Sequence, residues 1–227
     1  MKTLRQNVNI VCVCVGNKYG KDHVNRLYRM VERNCSLPFS FYCISDKQQD
    51  CNTIFVKKEL DLESYWWKIE LFNLDFKDPT LYFDLDVVIH NNIDSFFDKI
   101  KDNILTIKGS DIGEFYPYDG RFTILDIPPA VINTSIIGYV PIKTKYIYKK
   151  FLRNIDYNII KYYGLDRFVY EHCNDLDFLN YDEDYYHRNK GYSGQLVNNL
   201  NFNPKSKVCI LSQCTEKHYE GLEEYFL

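Results

Sequence analysis

The sequence predicts an α/β fold in which a mostly parallel central sheet carries helices on both faces. Short apolar, β-prone runs alternate with segments whose apolar residues recur at helical spacing, an order typical of parallel sheets. The first run, residues 8–15, is continuously β-prone, with Asn9 as its one polar residue, and closes at Gly16, as expected of a strand buried on both faces. Ligands of such sheets bind at the carboxyl ends of the strands.

The elements of the first ninety residues follow directly from these patterns. A helix begins at Asp22, where apolar residues fall three and four apart, and Pro38 marks its end. The next strand closes at Ser45-Asp46, and polar turn residues separate the segments that follow. The predicted strands are residues 8–15, 39–44, 54–56, 81–83 and 87–89, and the second predicted helix covers residues 65–73.

Beyond residue 93 the periodicity is weaker. We predict strands at 104–107 and 131–139 and helices at 145–154 and 166–179. The last third, rich in Tyr, Asn and Asp, yields no further assignment. Because no internal repeat and no shift in composition marks a boundary, the sequence predicts a single domain over 1–227.

Composition excludes several classes of protein. Twenty-eight Lys and Arg against thirty-one Asp and Glu give a formal charge of −3, so no large positive field favours nucleic acid as a partner. No run of about 18 apolar residues predicts a transmembrane segment, and no secretory signal pattern is present. We therefore expect a cytoplasmic protein. The alternate spacing of Cys12 and Cys14 within the first strand predicts reduced core thiols rather than a disulfide framework.

The sharpest local signal is the acidic segment Asp84-Leu85-Asp86, which interrupts an apolar run. On an ideal strand both carboxylates project to one face and can grip a divalent cation or the phosphates it carries. Two buried carboxylates without a cation are costly, although the pair could also cap a strand end in solvent. Two chemistries fit the pattern. One is transfer from a nucleotide sugar through a metal-held diphosphate, and the other is a haloacid-dehalogenase-type phosphatase with Asp84 as nucleophile.

Four segments, in their order along the chain, resemble the small bacterial and phage glycosyltransferases related to the glycogenin-like, metal-dependent GT-A families. They are residues 18–28, 37–46, 66–72 and 81–89. The resemblance implies a GT-A, Rossmann-like nucleotide-diphospho-sugar transferase fold with a nucleotide-binding half, 1–100, and an acceptor-side half, 101–227. It also implies a donor such as a UDP-sugar, a glycan or other acceptor hydroxyl, Mn²⁺ or Mg²⁺, and retention of anomeric configuration.

The resemblance also implies roles for individual residues. The candidates for contacts with the base and ribose are Gly16, Asn17, Tyr19 and Asp46. Lys68, between Trp67 and Ile69 on an apolar helix, is the candidate for a diphosphate oxygen, although a lysine at such a position can also extend to solvent.

The remaining implied roles lie in the second half of the chain. Asn133 and Ser135 resemble the small polar residues that line the sugar and acceptor region. Asp175, with Asp177 as a competing candidate, resembles the acid that faces the donor sugar, but Asn174 and Leu176 depart from the family pattern.

The metal site implied by the resemblance combines Asp84, Asp86 and a C-terminal histidine, for which His218 is the candidate. Water or a second oxygen of Asp86 would otherwise complete the coordination. A non-catalytic nucleotide-sugar binding module remains the alternative from a different functional class.

Overall fold

The computed structural model describes residues 7–57, 60–109, 131–173, 175–190, 196–197, 203–212 and 222–226. The strands are β1 Val8–Cys14, β2 Phe39–Ser45, β3 Asn52–Phe55, β4 Thr80–Phe83, β5 Val87–Ile89, β6 Ile104–Lys108, β7 Ile132–Tyr139, β8 Leu176–Phe178, β9 Tyr185–Lys190, β10 Leu196–Val197 and β11 Val208–Ser212. The helices are α1 Lys21–Asn34, a 3₁₀ helix Ser64–Asn73, α2 Asp94–Lys99, α3 Pro141–Leu152, α4 Ile155–Tyr162, α5 Leu165–His172 and α6 Glu223–Phe226.

The central sheet confirms the predicted mostly parallel α/β architecture. Its order is β3-β2-β1-β4-β7-β6-β8, and only β7 runs antiparallel to its neighbours β4 and β6. Alternate residues of β1 enter two apolar cores, one on each face of the sheet. Ile10 packs with α1 on one face, whereas Val11 packs with the 3₁₀ helix and α3 to α5 on the other. This two-sided burial explains why every residue of β1 after Asn9 is apolar.

The structure corrects two predicted elements. The predicted helix 166–179 ends at His172, and residues 176–178 form β8, which pairs with β6 in parallel. The apolar runs on either side of Asp84 are not one interrupted strand, because β4 lies in the central sheet and β5 belongs to a second sheet of order β10-β9-β11-β5. Pairing between distant segments fixes both features, and the local sequence pattern does not encode it.

No helix in the described part of the chain is long and apolar enough to cross a bilayer.

A buried carboxylate ties the second sheet to α2. Asp184, whose side chain is only 2% exposed, accepts hydrogen bonds from Lys207 Nζ at 2.7 Å and from Lys99 Nζ. The backbone N–H of Asn180 adds a third donor at 2.9 Å. Burial opposes ionisation, but the bonds from Lys207, Lys99 and Asn180 prevail and lower the pKa of Asp184. The ionised group therefore stabilises the fold.

We expect Asp184→Asn to lower the free energy of unfolding at pH 7 by about 2–4 kcal/mol, because two lysines lose their shared anionic partner. A carboxylate with a lowered folded pKa contributes stability above its unfolded value of 3.8, and this contribution is lost as the pH falls through the folded value. The difference in the free energy of unfolding between Asp184→Asn and the wild type should therefore become smaller below pH 3.8. Urea unfolding at pH 7 and at a pH below 3.8 measures this difference.

The matched control for this measurement is Asp98→Asn, which changes an exposed carboxylate on α2. It should change the free energy of unfolding by no more than about 0.5 kcal/mol. Equal losses in the two variants, or a difference that does not depend on pH, would contradict a stabilising role for ionised Asp184.

Candidate functional site

The acidic segment lies where the chain passes from the central sheet to the second sheet. The N–H of Asp84, just after β4, donates to the carbonyl of Ser135 in β7 at 2.9 Å. The N–H of Leu211 in β11 donates to the carbonyl of Asp86 at 3.0 Å. Strands from both sheets therefore hold this short turn, and its carboxylates lie at the carboxyl edge of β4, where ligands of α/β sheets bind.

The carboxylate of Asp84 is bound by two neighbouring side chains. Lys68 Nζ lies 2.6 Å from Oδ1 and 2.8 Å from Oδ2, and the Tyr82 hydroxyl donates to Oδ1. Lys68 comes from the 3₁₀ helix, whose other side chains around it are buried apolar groups such as Ile69. The sequence signal of a lysine on an apolar helix is thus explained by an ion pair at the edge of the sheet, rather than by extension to solvent.

Lys68 keeps its charge despite its surroundings. Burial by itself lowers the pKa of Lys68, but the carboxylates of Asp84, Asp166 and Asp86 outweigh burial and raise it above the ordinary value. Burial, followed by the charge of Asp84, raises the pKa of Tyr82 well above its usual range. At neutral pH the site therefore presents a fixed ammonium group and a protonated phenol.

Asp86 is the less compensated of the two acids. Its Oδ2 accepts a hydrogen bond from the Tyr19 hydroxyl at 3.0 Å. Burial and the charge of Asp84 nevertheless raise the pKa of Asp86, against the opposing effects of Lys68 and Lys18. A carboxylate in this setting gains most from a nearby cation.

This imbalance fits a divalent metal. The carboxylates of Asp84, Asp86 and Asp166 all act on the ammonium group of Lys68. Lys18 also acts on Asp86, so three carboxylates face two ammonium groups and one negative charge remains in excess. Carboxylate oxygens are the ligands that Mn²⁺ and Mg²⁺ prefer. Among the described residues no cluster of three or more His, Cys, Asp or Glu side chains forms a metal cage. Asp84 and Asp86 would therefore not complete the coordination of a cation by themselves. Its remaining ligands would be oxygens from outside these described side chains.

The loop after β1 places the predicted nucleotide contacts together. Gly16 has a φ of 81°, a left-handed conformation that suits glycine, and its N–H donates to Asp46 Oδ1 at 3.3 Å. Lys47 Nζ donates to the Gly16 carbonyl at 3.2 Å and to Asn17 Oδ1 at 2.8 Å. Tyr19 extends from the same loop to Asp86. The carboxyl ends of β1 and β2 and the acidic turn therefore form one continuous edge.

The start of β7 lines the opposite side of Asp84. Asn133 Oδ1 accepts a hydrogen bond from the Ser135 N–H at 2.8 Å, and the carbonyl of Ser135 binds Asp84. The structure thus brings these two predicted residues to the acidic turn.

Asp166 belongs to this cluster and was missed by the sequence analysis. It lies in the first turn of α5 and accepts hydrogen bonds from both the N–H of Thr134, at 3.0 Å, and the Thr134 hydroxyl. Its charge also raises the pKa of Lys68. The available signal was an acid in the first turn of a helix that follows a glycine, Gly164, but this pattern alone indicates only a helix start.

The structure does not bring Asp175 and Asp177 to the acidic turn. The carbonyl of Asp175 accepts a bond from Ile104, the first residue of β6, so Asp175 lies at the opposite edge of the sheet from Asp84. Asp177 lies on β8, three strand positions from β4, which corresponds to roughly 14 Å at the usual strand spacing. Both residues were predicted to lie in a helix. In the structure Asp175 directly precedes the edge strand β8, and Asp177 lies in that strand.

The remaining predicted ligand, His218, lies outside the described residues. The cysteines that are described are free thiols, and Cys12 and Cys14 are buried, which confirms their prediction as core residues. Burial raises the pKa of Cys14 to about 11. Burial also raises the pKa of Cys173 to about 11, and neighbouring His172 bonds to Tyr162 instead, so this pair is not an activated nucleophile.

Solved structures resemble the whole chain. One is the galactosyltransferase LgtC in complex with donor and acceptor sugar analogs, with a TM-score of 0.63 and 12% identity over 96% of this chain and 95% of LgtC. An active-site mutant of LgtC gives a TM-score of 0.64 and 13% identity over 96% and 94%. The chain has the GT-A fold. The bifunctional glycosyltransferase WbbM, in its apo form, gives a TM-score of 0.67 and 11% identity over 99% of this chain and 50% of WbbM.

At the level of sequence alone no family model and no curated protein matches the chain. The GT-A likeness therefore rests on the three-dimensional arrangement. It agrees with the fold that the Asp84-Leu85-Asp86 segment and its flanking motifs implied.

Proposed function

We propose that this protein is a metal-dependent glycosyltransferase that moves a sugar from a nucleoside-diphosphate sugar, with UDP-sugars favoured, to a glycan or other acceptor hydroxyl. The observation that carries the proposal is the charge cluster of Asp84, Asp86, Asp166 and Lys68 at the carboxyl edge of β4 in a GT-A fold. Its excess negative charge calls for a divalent cation, and a cation held there carries the diphosphate of the donor.

The nucleoside end of the donor would bind along the loop after β1. Gly16 allows close approach of the backbone, Tyr19 offers a ring face, and Asp46 and Asn17 supply polar groups for base and ribose. Lys68 remains protonated and would contribute a second positive charge to the diphosphate. A donor bound in this way would have its scissile bond near Asp84.

The metal, when bound at Asp84 and Asp86, would act as a Lewis acid that offsets charge on the diphosphate. In the transfer the bond between the anomeric carbon and the diphosphate oxygen breaks, and a bond to the acceptor oxygen forms. The acceptor proton passes to the departing phosphate oxygen, which lets the acceptor attack from the same face with retention. Lys68 favours this departure because its ammonium group stabilises the leaving charge.

Asp166, Asn133 and Ser135 would face the transferred sugar. The sheet order places β7 on the far side of β4 from β1, so the edge runs from nucleoside to diphosphate to sugar. Asp166 is fixed on Thr134 at the start of β7 and can accept hydrogen bonds from sugar hydroxyls. We therefore propose Asp166, rather than Asp175 or Asp177, as the acid beside the reacting centre.

No observation in the described residues favours the phosphatase alternative. The solved structures compared above, LgtC and WbbM, are glycosyltransferases.

The proposal is tested by thermal unfolding with UDP, GDP, CDP and dTDP, each with and without Mn²⁺. A ligand at a hundredfold excess over Kd stabilises by about 2.7 kcal/mol, which raises the midpoint of a chain of this size by about 5–11 °C. We expect a shift of this order with one nucleotide, and only when metal is present. If no nucleotide shifts the midpoint, the proposed donor site is wrong.

A further inference from the structure

Exposed apolar side chains are concentrated in one stretch of the chain. Of the eleven large apolar side chains that are exposed in the described residues, six lie on the consecutive helices α3, α4 and α5 or directly at their ends. They are Ile142, Leu152, Tyr157, Ile160, Tyr163 and Tyr170. A single exposed apolar residue is common on protein surfaces, but a concentration of them indicates a contact surface.

The outer face of α4 is apolar. Its inner face carries Asn158 and Tyr162, which are buried, and Ile159, which packs against the core. Because successive residues of a helix are about 100° apart, Tyr157 and Ile160 lie on the opposite side of α4. They are 53% and 63% exposed. A surface helix usually presents polar residues to solvent, so the outer face of α4 lacks the composition expected of a face that contacts only water.

Basic side chains surround this apolar face. Lys161 Nζ lies 5.7 Å from the ring centre of Tyr157. Arg153 is exposed two residues before α4 begins, and Lys149 is exposed one helical turn before Arg153, on α3. Neither Lys149 nor Arg153 forms an ion pair with a carboxylate of the described residues.

Hydrogen bonds hold the end of α3 against α4. The side chain of Asn158 donates to the carbonyl of Phe151 at 2.9 Å, and the Tyr157 N–H donates to Asn154 Oδ1 at 3.2 Å. The exposed residues at the end of α3 therefore lie next to those of α4. We call this surface the basic–apolar patch, formed by Lys149, Leu152, Arg153, Tyr157, Ile160 and Lys161.

The charge of this segment is opposite in sign to that of the chain. Residues 149–163 contain four Lys and Arg against one Asp, a formal charge of +3, whereas the whole chain has a formal charge of −3. Glu171 lies 3.8 Å from Lys161, and an excess of two positive charges remains when this pair is counted as neutral. An anionic partner is therefore attracted to this surface and repelled by the rest of the molecule.

We infer that the basic–apolar patch docks the protein on an anionic lipid surface. Lysine and arginine attract the phosphates of anionic headgroups, while Tyr and Ile side chains bury apolar area at the boundary between headgroups and acyl chains. Tyrosine is enriched at this boundary in membrane proteins because its ring is apolar and its hydroxyl is polar. The inference goes beyond the proposed function, since docking requires neither metal nor nucleotide.

Two other occupants fit the patch less well. Nucleic acid would be attracted by the charge, but its phosphate backbone offers no apolar region in which to bury Ile160 and Leu152. A second copy of the chain in a symmetric contact would place the same positive patch against itself, so like charges would repel each other. A lipid surface satisfies the charged and the apolar side chains together.

Vesicle flotation in buffer without metal or nucleotide tests the inference. The vesicles would be phosphatidylcholine with about 40% phosphatidylglycerol, or phosphatidylcholine alone. We expect the wild type to bind the anionic vesicles at least about tenfold more tightly than the neutral ones, and about 0.5 M salt to release it. Ile160→Ser and Arg153→Gln should each weaken binding by about fivefold, because the first removes apolar area and the second removes a positive charge.

The matched controls change equally exposed residues elsewhere. Phe55, 59% exposed on β3, follows Ile54, which packs into the core on the side of α3 to α5, so Phe55 faces the other side of the sheet. Lys205 is exposed next to the second sheet. Phe55→Ser and Lys205→Gln should bind the anionic vesicles like the wild type. All four variants should keep the unfolding midpoint of the wild type, since the changed side chains are exposed.

Three results would overturn the inference. They are no binding to the anionic vesicles, equal binding to the neutral ones, and equal losses in the patch variants and the controls. Sedimentation velocity tests the second copy as an occupant. A dimer that Ile160→Ser dissociates would mean that another chain covers the patch, and this too would overturn the inference. Failure of the nucleotide-dependent thermal shift would contradict the proposed function alone, because vesicle binding is measured without donor or metal.

Discussion

Asp86→Asn should abolish the metal-dependent stabilisation by nucleotide and reduce sugar transfer by about 10²–10³-fold. The carboxylate of Asp86 is half-buried beside Asp84, and its raised pKa indicates that the fold alone does not compensate its charge. An amide of the same shape keeps an oxygen to accept the bond from Tyr19 but is a far weaker metal ligand. Transfer assays and thermal unfolding with and without Mn²⁺ measure the two effects.

The same variant should unfold in metal-free buffer at a temperature equal to or above that of the wild type. Removing one of two neighbouring negative charges relieves repulsion and the cost of burying Asp86. Asp98→Asn, on the exposed face of α2, should leave nucleotide binding and stability unchanged. A large loss of stability in metal-free Asp86→Asn would mean that this carboxylate holds the fold together, and the metal-site account would then be incorrect.

Asp166→Asn should separate donor binding from transfer. The amide oxygen can still accept the bond from the Thr134 N–H, so α5 should keep its place on β7. The variant loses the negative charge beside Lys68 and the strong acceptor for sugar hydroxyls. We expect the nucleotide-dependent thermal shift to persist while kcat for transfer falls by about 10²-fold.

Asp177→Asn is the control for this experiment, since Asp177 lies on β8, three strand positions from β4. Its transfer rate should match that of the wild type. If Asp177→Asn stops transfer while Asp166→Asn does not, the proposal that Asp166 rather than Asp177 lies beside the reacting centre is contradicted.

The sequence predicted the parts of the fold that local periodicity encodes. The largely apolar run of β1 and the helical spacing in α1 predicted a parallel sheet with a helix on its face. A strand buried on both faces is apolar at nearly every position, and a helix buried on one face has apolar residues three and four apart. The second sheet was not predicted. Strand β9 carries Tyr, His, Arg, Asn and Lys residues, and the short apolar strand β11 pairs with β9 and with the distant β5, so no local pattern indicates the sheet.

The residues of the candidate site also fall into those that the local sequence pattern predicts and those that only tertiary packing brings to the site. Asp84, Asp86 and Lys68 were predicted because acids within an apolar run and a lysine on an apolar helix are locally unusual. The structure then shows Lys68 and Asp84 in contact. Asp166 was not predicted, because only the packing of α5 against β7 brings it to the site. Asp175 was predicted from its resemblance to a family motif, but the residues that follow it form the edge strand β8.

The most direct test of the central claim is donor cleavage. UDP-, GDP-, CDP- and dTDP-linked sugars, incubated with the protein and Mn²⁺ with and without a panel of glycan acceptors, would be assayed for release of nucleoside diphosphate. The account predicts release from one donor, dependent on metal and at least about 10²-fold slower in Asp86→Asn. If every nucleotide sugar stays intact, with and without acceptors, the account is contradicted.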